Sequence, residues 1–393
     1  MNLFFIFAIM ILSIIHGTVG LRIIPYLNLN YNIKIITWCC IALLAALPII
    51  PIILRSKGFE DEVVDWFSWA GYLSLGFFVL TFLAVVTKDL IYLVIGLLTK
   101  ITAAIGSPSS PTDPGRRDFI QKILSISIVT TTSVSTIAGL YAARKGATIM
   151  KTTVPIKGLD KDLSGMTIAQ VSDLHIGPTI KKGYVEEVVE QVNRLNPDII
   201  AITGDLVDGS VGYLSKHVEP IKDLHANIGK YFVTGNHEYY SGVDQWLEKT
   251  DQYGLTNLID SHEIITKGSG SITLGGVTDY RSSSIKPEHK SDPDKAFYGA
   301  PENIPKILLA HQPWSIFDAH KVGADLQLSG HTHGGQFWPF VYAVRMANPY
   351  TSGLHDHDGT WIYVNRGTGY WGPPMRLGVE SEITLVKLET KKS

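Results

Sequence analysis

Apolar residues run almost unbroken through the first third of this chain and then break into short bursts. From Asn2 to Gly20 only Ser13, His16 and Thr18 interrupt the run in mid-course. About 20 such residues are what a membrane-spanning helix requires. Residues 35–54 and 66–87 form a second and a third stretch of the same kind. Residues 90–99 are apolar but too short to cross a bilayer alone, so they extend the third helix or lie in the interface. A Pro/Ser/Gly stretch over 106–115 reads as a linker. The last apolar segment, 123–143, is rich in Ser and Thr. It reads as a fourth membrane helix or as a buried core helix.

From Thr167 onward the period changes. Residues 167–173, 197–205 and 230–236 read as buried strands, with an amphipathic helix over 184–195 and a poorer one over 216–227. Later apolar runs at 306–311, 324–331 and 361–367 each close on a polar residue or glycine. Strands joined by helices of this length predict an α/β fold behind an all-α transmembrane region.

Composition sharpens this division. The mean hydropathy is +0.15 over 393 residues, high for a soluble enzyme, yet every histidine except His16 lies after residue 145. A net charge of −2 leaves no electrostatic footprint for nucleic acid, so no such partner is expected. Cys39 and Cys40 are adjacent within an apolar run, which excludes a disulfide framework and a thiolate metal site.

Arg116 and Arg117, followed by Asp118, Phe119 and Ile120, resemble a twin-arginine export signal, although such signals stand at an N-terminus. The bland reading is a basic flank of an ordinary membrane helix. Both give one topology. Lys88, Lys100, Arg116, Arg117 and Lys122 place the loop between the third and last spans in the cytoplasm. Residues 150 onward then lie outside the cell membrane, with Arg144, Lys145 and Lys151 arguing the other way.

The chemistry sits where the strands of the second part end. Asp173 and His175, Asp205, Asn236 with His237, His311, and His331 with His333 each close an apolar strand. Strand ends of a layered α/β fold gather at one edge. The donor types suit two metal ions about 3.5–4 Å apart. Asp205 would bridge them, with Asp173, His175 and His333 on the first and Asn236, His311 and His331 on the second. Nitrogen and oxygen donors without sulfur suit Mn, Fe or Zn equally. Gly204, Gly235, Gly330, Gly334 and Gly335 flank these residues and permit tight turns.

Asp173-Leu174-His175, Gly204-Asp205, Gly235-Asn236-His237-Glu238, His311 and Gly330-His331-Thr332-His333, in that order, resemble the calcineurin-like metallophosphoesterases over roughly residues 165–388. His331 to Gln336 and Gly372-Pro373-Pro374-Met375-Arg376 are similar to the bacterial membrane-associated, YkuE-type branch. The resemblance implies a four-layer α/β/β/α sandwich and a metal-dependent phosphoric ester hydrolase. With the apolar runs, the expected division is a helical membrane region of about three spans at 1–105, a linker, Arg-Arg motif and last helix at 106–150, and the metallophosphoesterase domain at 151–393. The resemblance also implies that the ions activate a shared water and neutralise phosphoryl charge, with Asp205 and Asn236 holding them. His237, at the matching position, would protonate the leaving oxygen or stabilise the transition state.

Other residues divide between a functional and a structural reading. Arg366, at the end of the last strand, is a candidate to grip a substrate phosphate, against a role as a surface or loop-fixing residue. The run His355-Asp356-His357-Asp358 reads as a solvated hairpin loop rather than a third metal site, and Asp208, His217, His225 and His262 receive the same bland reading. Trp338, Tyr370 and Trp371 either line a groove or pack. The expected substrate is a phosphate ester, and tethering beside a bilayer favours a phospholipid or lipid-linked pyrophosphate. A general phosphodiesterase, or a catalytically silent sensor or binding module, is the competing reading.

Overall fold

The computed structural model describes residues 3–105 and 113–391. The expected linker therefore falls largely outside the described residues, and its end departs from expectation, because Pro114 and Gly115 already open a helix. The chain divides into two compact units, Met1–Gly139 with Gly372–Pro374, and Leu140–Trp371 with Met375–Ser393.

Long apolar runs leave the backbone one way to satisfy its polar groups away from water, which is the α-helix. The first unit is built accordingly from α1 (Leu3–Ile23), α2 (Tyr31–Ala46), α3 (Ile49–Ser56) and α4 (Glu62–Ala104), with α5 (Pro114–Arg144) running on into the second unit. The second apolar stretch divides into α2 and α3 at Pro48, which has no N–H to continue the ladder. Asp61 caps α4 by accepting from Val64 N–H at 2.9 Å, and Glu62 and Asp65 suit its positive end. Residues 90–99 extend the third helix, giving α4 43 residues in all. That is about 65 Å of helix, roughly twice a hydrocarbon core of ~30 Å. Four segments, Ile6–Leu27, Tyr31–Ser56, Glu62–Ala104 and Pro114–Arg144, are long and apolar enough to cross a membrane.

Inside this unit Val19, Ile23, Phe78 and Val85 form a small core. Gly71 lets α4 approach the backbone at Leu47 and Pro48. Thr81 Oγ1 donates to Thr132 Oγ1 at 3.0 Å between α4 and α5, and Arg22 pairs with Asp89 at 2.9 Å.

In the second unit, period-two alternation sends successive side chains to opposite faces of two six-stranded sheets. The first sheet has the order β1 (Thr148–Ile156), β12 (Glu382–Thr390), β2 (Thr167–Val171), β3 (Ile199–Thr203), β4 (Gly229–Val233), β5 (Thr256–Asn257). The second has the order β10 (Gly353–His357), β11 (Thr360–Val364), β9 (Leu326–Ser329), β8 (Lys306–Leu309), β7 (Gly270–Gly276), β6 (Ser261–Lys267). Both sheets are mixed: β2, β3, β4 and β5 run parallel, as do β7, β8, β9 and β11, while β12 is antiparallel to β2.

β3 shows the alternation at work. Ile200 and Ile202 face α6 (Lys182–Arg194), α7 (Val211–Val218) and α9 (Val243–Gln252), whereas Ile199 and Ala201 face the second sheet. Against them on the second sheet stand Ile272, Leu274, Ile307, Leu309, Leu326 and Leu328. The far face of that sheet packs Leu308, Ala310, Ile362 and Val364 against α10 (Pro293–Ala296) and α11 (Ile316–Lys321). Three cores thus separate four layers, an α/β/β/α sandwich. The short helices α8 (Asn236–Ser241) and α12 (Phe340–Ala347) complete it.

Three expectations are corrected. The poorer helix at 216–227 is the end of α7 followed by a 3-10 turn over Glu219–Asp223. His355-Asp356-His357 lies on β10, and only Asp358-Gly359 forms the hairpin turn. Arg366 does not end the last strand: β11 stops at Val364, and β12 follows.

Candidate metal centre

Each candidate donor stands just past the C-terminal end of a parallel strand. Asp173, Asp205, His311 and His331 lie two residues beyond β2, β3, β8 and β9, and Asn236 opens α8 after β4. Parallel strands end at one edge, so five loops distant in sequence converge there. The turns are sharp: Asp173, His175, Asp205, His331 and His333 have φ of 52, 48, 50, 69 and 49°. The left-handed region costs a non-glycine residue about 1–2 kcal/mol. Five such residues together mark a place where function outweighs backbone comfort. Glycine serves close approach: a Cβ on Gly330 would overlap Ser172 Oγ and Asp173 Oδ2, and one on Gly235 would overlap Asp205 Oδ1.

Donor atoms gather in three overlapping sets. Asp173, His175 and His333 offer atoms within 4.8 Å of one another, as do Asp205, His311 and His331, and His175, Asp205 and His237. Asp205 Oδ2 lies 3.1 Å from His311 Nε2 and 3.7 Å from His175 Nε2. His175 Nε2 faces His333 Nε2 at 3.1 Å, and His331 Nδ1 faces His311 Nε2 at 3.2 Å.

These atoms fit cations. His311 Nδ1 sits 2.8 Å from the Thr203 carbonyl, which requires a proton on Nδ1 and leaves Nε2 facing Asp205, as an N–H donor while the ring is charged and as a lone-pair donor to a metal when it is neutral. Asn236 Oδ1 is buried with no hydrogen-bond partner among the described residues. A buried acceptor left unpaired is costly. A metal ion is the partner such an acceptor suits.

Protonation preferences follow from this crowding. Burial, aided by the neighbouring His237 charge, lowers the His175 pKa to about 3, and burial with the His311 charge does the same to His331. Both imidazoles are thereby kept as neutral lone-pair donors. Burial raises Asp173 to about 6. Burial pushes Asp205 upward too, but the His311 and His237 charges outweigh it and hold the carboxyl well below its usual range. For His237 burial acts downward, while the Asp205 and Asp208 carboxylates prevail and raise it to about 9.

His237 stands at the edge of the cluster. Its Nδ1 lies 3.2 Å from Asp208 Oδ1, and its ring meets His175, Tyr240 and Trp371 edge-on, with centroids 4.6, 5.3 and 5.5 Å away. Asp208 is therefore a partner of His237 and not a solvated loop residue. Arg366 lies at the same sheet edge, its Nε held by the buried Glu382 carboxylate. His225 and His262 contact the Asp223 and Ala296 carbonyls, and His217 meets the Tyr213 ring edge-on; none joins the cluster. Tyr370 packs, its hydroxyl donating to the Thr179 carbonyl at 3.1 Å, whereas Trp371 borders the site.

Two residues quoted within the motifs received no role from sequence reasoning. Glu238 is buried and accepts from Gly235, Leu206, Asp205 and Val207 N–H at 2.6, 2.8, 3.0 and 3.3 Å, so one carboxylate ties the Asp205 loop to the Asn236 loop. Its spacing, three residues after Gly235 at the start of a helix, is that of a capping box and was a usable signal. Arg376 is fully buried, with Nη1 donating to the His333 carbonyl at 3.1 Å and Nη2 lying 3.2 Å from His333 Nδ1. No spacing rule pairs it with a residue 43 positions away.

Comparison with known proteins agrees with this geometry. Residues 166–335 match the family model described as calcineurin-like phosphoesterase. A Danio rerio protein named "Transmembrane protein with metallophosphoesterase domain" is 33% identical over 339 residues, covering 84% of this chain and 75% of that one. A Helicobacter pylori protein named "Uncharacterized metallophosphoesterase" is 39% identical over 257 residues, covering 64% and 67%. The Bacillus subtilis "Uncharacterized metallophosphoesterase YkuE" is 28% identical over 234 residues, covering 58% and 80%.

Proposed function

The chain belongs to the calcineurin-like phosphoesterase family, a membrane-associated, metal-dependent phosphoester hydrolase, and we propose that it works with two divalent ions held around Asp205. One observation supports the number two. Two of the three donor sets share no residue, Asp173, His175 and His333 in one and Asp205, His311 and His331 in the other, and the third links them through His175 and Asp205. Asn236 completes the second set through its unpartnered Oδ1. Ions bound there would neutralise phosphoryl charge and acidify a water for attack.

The remaining chemistry belongs to side chains. Asp205 Oδ1 accepts from His237 N–H at 2.8 Å, fixing the loop that carries both Asn236 and the His237 ring. Asp208 beside Nδ1 orients that ring, so Nε2 is the atom placed to give a proton to the leaving oxygen. The neighbouring carboxylates favour the protonated form, which suits an acid. Arg366, gripped through Nε by Glu382, is placed to meet a phosphate with its terminal nitrogens.

We place the domain on the extracytoplasmic side of a multi-pass membrane protein. Arg22 pairs with Asp89, and Lys88 lies 6.0 Å from the Tyr26 ring, so the α1–α2 turn and Lys88 share one end of the helical unit. Lys100 near the end of α4 and Arg116, Arg117 and Lys122 near the start of α5 add to the basic character there, and positive charge marks the cytoplasm. The favoured substrate is a lipid phosphate ester or pyrophosphate. The test is hydrolysis by the full-length, Mn²⁺-loaded protein in detergent of p-nitrophenyl phosphate, its bis ester and a phospholipid panel. Metal-dependent turnover lost in Asp205→Ala supports the reading. Metal binding without turnover of any of these would favour a binding module instead.

A further inference from the structure

We propose that the metal-bearing end of the sandwich rests on the lipid surface, with α12 and the Trp371 loop as its membrane-dipping foot. α12 follows the ligand turn almost immediately: His333-Gly334-Gly335 ends five residues before Phe340. Every residue of α12 keeps part of its surface exposed, although five of the eight are Phe340, Val341, Tyr342, Val344 and Met346. Met346 is 86% exposed, Tyr342 57%, Trp338 56% and Trp371 51%. A contiguous apolar patch of large side chains on a soluble surface marks an interaction site. Tyr and Trp, apolar bodies with a polar tip, are the residues that sit at headgroup depth.

The patch is one structure with the site. Gln336 clamps the Trp371 backbone from both directions, Nε2 donating to its carbonyl at 3.0 Å and Oε1 accepting its N–H at 2.9 Å. Trp338 N–H donates to the Leu377 carbonyl at 2.9 Å. Trp371 in turn borders His237.

Two observations select a bilayer as the occupant. The first is charge. From Gly334 to Leu354, and again from Gly367 to Val379, the sequence contains no Asp or Glu, and its charged residues are Arg345 and Arg376. A water-facing surface ordinarily mixes both signs, and an anionic lipid surface would repel carboxylates. The second is where the apolar helix α5 joins the sandwich. β1 runs parallel to β12 with Thr148 opposite Glu382, and β12 is antiparallel to β2 with Thr384 opposite Gln170. Thr148 therefore lies level with the strand ends that carry Asp173, not at the opposite end of the sheet. Three residues, Lys145 to Ala147, separate it from the end of α5. Arg144 Nη1 donates to the Thr179 carbonyl at 3.2 Å, the same carbonyl that holds Tyr370 beside Trp371. A membrane helix thus delivers the chain to the end of the domain where metals and exposed aromatics lie.

This deepens the reading of the site as a phosphoesterase at a membrane and rests on it for its catalytic meaning, which is delivery of a lipid headgroup to the ions. The test does not depend on turnover. In full-length protein with Cys39→Ser and Cys40→Ser, a nitroxide would be attached at Met346→Cys. A reference nitroxide would go at Ser269→Cys in the β6–β7 turn, at the opposite end of the strands. The protein would be studied in nanodiscs of phosphatidylethanolamine and phosphatidylglycerol. The label at 346 should relax faster with oxygen than with a water-soluble nickel chelate, as a group about 5–10 Å below the headgroups does. The label at 269 should show the reverse order, and both results should persist in Asp205→Ala. An aqueous reading at 346 would overturn the proposal. So would shielding from both reagents with dipolar broadening that disappears on dilution with unlabelled protein, which would assign the patch to a second copy. Loss of turnover with the depth reading intact would strike the phosphoesterase reading alone.

Discussion

The two units of this chain place polar and apolar side chains in opposite ways. In the helical unit the large exposed residues are Ile6, Phe7, Ile36, Leu43, Leu93 and Leu98, while Ser68, Thr81, Thr132 and His16 are buried. In the sandwich Ile168, Ile199, Leu274, Ile307 and Leu328 are buried, and the buried polar groups concentrate at the strand ends. The difference lies in the surroundings. Where lipid surrounds helices there is no water to expel from between them, so small and hydroxyl residues make the contacts. Where water surrounds sheets, burying apolar faces drives folding, and a polar group is admitted only when it is paired or serves a site.

The comparison can be broken most severely at the metals. Asp205→Ala should lower kcat by about 1,000-fold or more and deplete bound metal, read by elemental analysis. Full metal content in that variant would end the idea of a shared carboxylate. His237→Ala should cost on the order of 100-fold in rate while metal content stays near wild type. Metal loss there would move His237 from proton transfer to ligation.

A buried polar group away from the metals gives the next effect. Gln170 Nε2 donates to Thr203 Oγ1 and to the Ser329 carbonyl, both at 2.9 Å, joining the two sheets. Gln170→Leu should destabilise by about 1–3 kcal/mol, measured by denaturant unfolding in detergent. Little or no loss would mean that the sheets are held by apolar contact alone.

A smaller effect belongs to Asp198, whose carboxylate accepts from Thr167 N–H at 2.9 Å and pairs with Lys267 at 2.9 Å. Partial burial acts to raise its pKa, but the Thr167 and Lys267 bonds prevail and lower it below 3.8. The ionised form is thus favoured by folding. Its contribution is present above pH 3.8 and is lost as pH falls through the lower folded value. Asp198→Asn should therefore reduce the melting temperature at pH 7 and converge with wild type in strong acid. An equal deficit at every pH would refute the linkage.

The smallest effect is expected in the membrane. Thr81→Val removes the bond to Thr132 and should cost only about 0.6 kcal/mol. A loss as large as that of Gln170→Leu would erase the contrast between the two units.

Much of the site was legible before any fold was known, because metals choose donors by chemistry. Asp173, His175, Asp205, Asn236, His311, His331 and His333 share a habit of following an apolar run, and that habit reflects how parallel strands end. Glu238 was half legible as a capping-box residue, and Asp208 was misjudged because proximity to His237 depends on how two loops fold back. Arg376 stood in a motif without a role and Glu382 carried no local signal, since each acts on a residue reached only through packing.

Local order in the chain settled what depends on spacing alone. It specified which segments are apolar enough for lipid, which strands are buried, and which donor types are available for metal. Tertiary structure decided what depends on return paths through space. It paired β1 with β12 and brought α5 in at the metal end. It set α12 beside the ligand turn, and it gathered five left-handed residues at the strand ends. The physical reason is that hydrophobic periodicity encodes a face, whereas a site is an intersection of faces, and only the folded chain specifies where they meet.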